Sequence, residues 1–200
     1  MVDETPDADD VVTLNPRNLR GMAHPLRVRL LGLLRLDGPS TATRLAERVG
    51  ESSGATSYHL RQLATYGFVV EDPEHTATGR ERWWRAAARL TDLPRASARD
   101  AAADAEGFLR ALASECYQEM DAFLAELPTL PAAWDEGWTI SDRVLRLTPA
   151  EAKRLRRDLA AVLRRYRQDE PGTNPDAPRS AERVILQVQL LPRLRQGATG

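Results

Sequence analysis

The chain has 200 residues, 42% of them hydrophobic and 28% charged, with a formal net charge of −1 and one cysteine. That length suits one large domain or two small ones, each with a real core. No apolar run approaches the roughly 20 residues of a membrane span, and a lone Cys116 excludes an internal disulfide.

The first residues are acidic and lack the basic-then-apolar order of a signal peptide. A cytoplasmic protein without membrane contact is expected. Residues 1–15 carry proline and aspartate and read as a disordered acidic tail. From Leu19 to Leu36 an apolar helical pattern runs through Met22, Leu26, Leu30, Leu33 and Leu34. His24-Pro25 interrupts it, so the helix proper starts near Pro25, and Asp37-Gly38-Pro39 ends it.

Two short helices joined by a tight turn follow. Ser40 can cap the first, whose apolar positions are Ala42, Leu45, Ala46 and Val49, and Gly50 breaks it. Ser52 or Ser53 opens the second, over 53–65, with a buried stripe of Thr56, Leu60 and Leu63. Its other face carries Ser53, Gly54, Ala55, Ser57, Tyr58, Gln62 and the cation Arg61. Groups of this kind can lie against base edges and phosphates in a major groove.

Phe68 to Glu71 reads as a strand, residues 72–80 as a polar loop, and Arg82 to Ala86 as the returning strand. A hairpin directly after a helix-turn-helix is a wing. His75, Arg80 and Arg82 lie at or beside its tip, where they can meet phosphate or minor groove.

Leu90 to Arg95 is a link, where the chain divides into a winged helix-turn-helix domain (16–90) and a C-terminal unit (91–200). A long helix over 98–127 carries Phe108, Leu109, Leu112, Cys116, Met120, Phe123, Leu124 and Leu127 on one broad face, with Cys116 as a packed thiol. Trp138 to Leu147 reads as a strand. Thr148-Pro149-Ala150-Glu151 is a capping box opening a helix that buries Ala152, Leu155, Leu159, Val162 and Tyr166. Arg183 to Leu190 alternates as a half-buried strand. The expected fold is mainly α with small β: a winged helix-turn-helix, then an α-β-α-β unit.

Charge is segregated along this order. Residues 1–16 hold five acids and no base, residues 17–90 twelve arginines against seven acids, and residues 91–200 sixteen bases against seventeen acids. The positive excess coincides with the helix-turn-helix, as phosphate contact requires.

The stretches Met22-Ala-His-Pro-Leu-Arg-Val-Arg-Leu-Leu, Ala-Glu-Arg-Val-Gly, Thr-Ser-Tyr-His-Leu-Arg-Gln-Leu-Ala-Thr-Tyr-Gly-Phe-Val and Gly-Arg-Glu-Arg-Trp-Trp resemble the ArsR-type winged-helix transcriptional regulators. The resemblance covers residues 19–87. It implies a homodimer, operator binding through symmetric half-sites, and Ser57, Tyr58, His59 and Arg61 approaching double-stranded DNA. The metal-sensing branch carries a Cys-x-Cys at the recognition region or paired His and acids on the helix after the wing. Neither is present here, so no metal or other cofactor is expected.

No phosphate loop, Gly-x-Ser-x-Gly, His-Glu-x-x-His or Cys-x-x-Cys occurs, and an enzyme is not expected. Two further readings stay open. The winged helix could dock protein instead of DNA, though such a face should expose larger apolar groups than Ser57, Arg61 and Gln62. Tyr117, Phe123, Trp134 and Trp138 could line a pocket for a small-molecule effector or be plain core.

Overall fold

The computed structural model describes residues 11–78, 81–167, 169 and 178–193. Residues 11–15, expected within a disordered tail, are ordered. Strand β1 (Val11–Thr13) runs parallel to β5 (Leu90–Asp92), Val11 opposite Leu90, and Leu14 beside it is fully buried. The expected link at residues 90–95 is therefore partly strand.

Asn15 accepts the backbone N–H groups of Arg17 and Asn18, and Asn18 reciprocates by accepting from the N–H of Asn15 at 2.7 Å. That closed cap, with Pro16 next, starts helix α1 (Pro16–Met22). His24 caps α2 (Pro25–Asp37), its Nδ1 accepting the N–H of Leu26 at 3.2 Å. The expected helix start at Pro25 is where α2 begins.

Helix α3 (Ala42–Val49) is capped by Thr41 and not by Ser40, because Ser40 and Thr41 form strand β2 against the wing. Gly50 closes α3 in the left-handed region at φ 71°, a conformation that costs glycine nothing. Helix α4 (Ser53–Thr65) follows, then β3 (Val69–Glu71) and β4 (Trp83–Ala86), in the sheet order β2-β4-β3, antiparallel throughout. Helices α2, α3 and α4 with this sheet make a winged helix-turn-helix, and the whole is mainly helical with small sheets.

Its core is one cluster. Leu30, Leu31 and Leu34 of α2, Leu45 of α3, Leu60 and Leu63 of α4, and Phe68 before β3 are each 2% exposed or less. Arg35 ties α2 to the exit of the wing. Its guanidinium donates to the carbonyls of Ala88 and Leu90 and to the Thr91 hydroxyl at 2.8–3.1 Å.

The single helix expected over 98–127 is two, α5 (Arg95–Asp100) and α6 (Ala102–Glu126), broken at Ala101. Helix α6 packs on α1 and α2 through Ala105, Phe108 and Ala111, and Gly107 lets it approach Ala23. It therefore belongs to the first compact unit, which ends at Glu126, not near residue 90. Leu109, Leu112, Met120 and Leu124 of the expected apolar face stand exposed.

The second unit, from Leu127, holds short 3-10 turns at Leu127–Thr129 and Ala132–Trp134, and helix α7 (Pro149–Leu163). The Thr148–Glu151 capping box forms as expected. Its two expected strands do not: residues 138–147 and 183–190 join neither sheet. Ala152, Leu155 and Leu159 of α7 are only half-buried, while Val162 and Tyr166 are exposed. No described residue of this unit is buried. No helix among the described residues is long and apolar enough to cross a membrane.

Of the described glycines in the first unit, Gly21 has the closest neighbour, since a Cβ there would sit 2.5 Å from the Tyr66 ring. Gly21→Ala should force Tyr66 to move and lower stability by about 1–3 kcal/mol, as overpacking does. Urea unfolding followed by circular dichroism measures it.

Candidate nucleic-acid interface

The turn between α3 and α4 is fixed by local chemistry. Gly50 turns the chain, and Ser52 then caps α4 by accepting the N–H of Ala55 at 3.2 Å. Thr56, Leu60 and Leu63 face the core, each fully buried. With 3.6 residues per turn, that seating leaves Ser53, Gly54, Ser57, Tyr58, Arg61 and Gln62 outside. Ser53, Gly54, Tyr58 and Arg61 are exposed, and Ala55, Ser57 and Gln62 half-buried. The Arg61 guanidinium forms no ion pair among the described residues.

His59 differs from its neighbours. Its ring packs inward on His24, centroids 4.5 Å apart, with Tyr58 edge-on at 5.3 Å. Its Nδ1 is buried without a hydrogen-bond partner. Burial, then the nearby His24 and Arg27, holds its pKa below the ordinary histidine value. His24 is lowered by burial and then by Arg27. The pair joins the cap of α2 to the middle of α4.

Between α4 and the wing lies an open cleft of about 400 Å³, lined by Thr43 at the start of α3, Ser57 and Arg61 of α4, and Glu81, Arg82 and Trp84 of the wing. Thr43 donates its hydroxyl to Glu81 at 2.8 Å across it. Arg82 is not a free cation at the hairpin tip. It pairs with Glu71 at 3.1 Å and lies over the Trp84 ring. Trp84 itself is buried, whereas Trp83 is sandwiched near Arg44 and His75. His75 is held by the buried carboxylate of Asp72 at 2.9 Å. Arg80 lies outside the described residues.

Thr43, Arg44 and Glu81 escaped the sequence reading. The first two fall between the apolar positions of α3, and the reach of Glu81 to α3 depends on strand β2, whose two residues show no pattern. Of the four aromatic candidates for an effector pocket, Tyr117 and Phe123 stand on α6, Tyr117 exposed and Phe123 half-buried. Trp134 and Trp138 belong to the second unit, where Trp134 packs over Gly137. Among the described residues no three His, Cys, Asp or Glu side chains cluster as metal ligands would.

Residues 22–72 match the model of a helix-turn-helix domain. The match spans α2, α3, α4 and β3, and it contains the whole outer face of α4. Comparison with curated proteins gives no match. Among solved structures the chain is similar to a double mutant of Lactococcus lactis ZitR, at 16% identity over 72% of this chain and 74% of that one, with a TM-score of 0.27. The apo form of that mutant is similar at 16% identity over 76% and 86%, TM-score 0.28. A protein described as a transcriptional regulator is similar at 26% identity over 70% and 78%, TM-score 0.28.

The histidine pair gives the domain a pH dependence of known sign. Both pKa values lie below 6.5 in the folded chain, so the unfolded chain takes up protons first as pH falls. Stability is intact above about pH 6.5 and declines below it. Protonating His24 at Nδ1 would also remove the acceptor that caps α2. Urea midpoints should drop between pH 7.5 and 5.5, and His24→Asn with His59→Gln should flatten that drop.

Proposed function

We propose that this protein is a DNA-binding transcriptional regulator that reads an operator as a homodimer. Helix α4 enters the major groove, with Ser53, Gly54, Ala55, Ser57, Tyr58, Arg61 and Gln62 facing bases and phosphates. His59 takes part indirectly, by fixing the pitch of α4 against α2. Arg82, with Arg80, lies alongside the phosphate backbone. The observation that carries this reading is the outer face of α4 within a helix-turn-helix domain: mostly small and polar, exposed, and bearing an Arg61 that forms no ion pair among the described residues, beside an open cleft. A protein-docking module would present larger apolar groups there, which favours DNA over that alternative. The protein acts by binding and not as an enzyme, and works in the cytoplasm.

Two-fold operators require recognition helices held about 34 Å apart, one turn of DNA. Helix α6 supplies a face for such pairing in Leu112 and Met120, which are exposed, and the half-buried Phe123.

Arg61→Ala should weaken binding to every duplex and reduce the steepness of its salt dependence by about one counterion. Fluorescence anisotropy across a salt series measures it, and an unchanged slope would mean that Arg61 faces away from DNA. Leu112→Glu with Phe123→Glu should yield a folded monomer with poor operator affinity. Sedimentation velocity beside a gel shift checks both halves, and a variant that still dimerises would remove α6 from the interface.

A further inference from the structure

The near balance of charge over residues 91–200 hides one strongly basic element. Residues 149–167 hold seven bases against two acids. That excess of five equals the excess of the whole segment 17–90, in about a quarter of its length. Lys153, Arg154, Arg156 and Arg157 stand on α7, and Arg164, Arg165 and Arg167 follow directly. All seven are exposed.

Helical spacing gathers four of them on one face. Lys153, Arg156 and Arg157 are neighbours across one turn. Arg164, still helical in its dihedral angles, returns to the same line seven residues after Arg157. No acid stands three or four positions from any of these four. Glu151 serves the cap, accepting from Thr148, and Asp158 points about 100° round the helix from Arg157. None of the seven bases forms an ion pair among the described residues. Like charges one turn apart oppose a helix, so this face is an uncompensated row of cations. It runs roughly 16 Å from Lys153 to Arg164, at about 1.5 Å per residue. A duplex presents roughly ten phosphates over that length.

The partner that fits such a row is a polyanion. A helix that lies on a membrane sinks a broad apolar face into the lipid beneath its bases. The apolar stripe of α7, formed by Ala152, Leu155 and Leu159, is instead already half-buried. The same chain matches a helix-turn-helix domain, and the polyanion that goes with such a domain is duplex DNA.

We infer that the basic face of α7 is a second contact with duplex DNA, made to phosphates and blind to sequence. Cations on a helix face neutralise phosphates and release counterions, which strengthens binding to every duplex alike. Helix α4 selects the sequence and α7 adds affinity. The choice of DNA as the polyanion rests on the function proposed above.

The test uses the full chain carrying Lys153→Gln, Arg156→Gln and Arg157→Gln together. Glutamine matches lysine and arginine in helix preference, and circular dichroism confirms the fold. Fluorescence anisotropy with a duplex of random sequence is followed from about 0.15 to 0.4 M salt, where charges more than about 8 Å away are screened. The slope of log affinity against log salt should fall by about 2–3, and affinity at the lowest salt by roughly tenfold or more. A charge-matched control, Arg143→Gln with Arg179→Gln and Arg193→Gln, should leave the slope within about one counterion of the wild type. An unchanged slope in the α7 variant, or an equal fall in the control, would overturn the contact while leaving a DNA-binding regulator intact. Binding of the wild type to phosphatidylserine vesicles, lost in an α7 variant whose duplex slope is unchanged, would assign the face to lipid and overturn it too. A wild-type chain that binds no duplex would overturn the functional reading and this contact together.

Discussion

The seating of α4 on α2 is the constraint from which the rest of the first unit follows. Leu60 and Leu63 are fully buried in the cluster that holds Leu30, Leu31 and Leu34. Each contributes about 1.5–3 kcal/mol by leaving water. The exposed Arg82–Glu71 pair contributes about 0–1 kcal/mol. The rotation of α4 is thus decided by its leucines and not by ion pairs of the wing. Turning the helix by one residue would swing its side chains about 100° and carry Arg61 toward the core. That stripe fixes which residues of α4 face outward.

The same seating explains what the sequence could reveal. Helix ends are written in three or four consecutive residues, so Gly50, Ser52 and the Thr148–Glu151 box are legible without any tertiary information. The buried stripe of α4 recurs at helical spacing, which makes its outer face legible too. Strands β1, β2 and β5 span two or three residues and pair with segments more than forty positions away. Alternation cannot show in so short a run. Thr41 outcompetes Ser40 as a cap for that reason: the adjacent hydroxyls are equivalent locally, and the wing's pairing with β2 selects between them. The contact of His24 with His59 and that of Thr43 with Glu81 are likewise products of tertiary packing.

Residues 138–147 and 183–190 illustrate a different limit. Residues 183–190 alternate as a half-buried strand would, but periodicity reports which side chains share a face and not which segment supplies the neighbouring strand. Both segments stand exposed and join neither sheet.

Selection from a random duplex library at moderate salt reads out sequence-specific DNA recognition by the outer face of α4. A regulator of the proposed kind should enrich a two-fold symmetric site, its half-sites centred about 10 base pairs apart or a whole helical turn further. Arg61→Ala should bind the enriched site with its preference over random duplex largely preserved and its affinity reduced. A library that emerges from repeated rounds with no sequence enriched over the starting pool would contradict it.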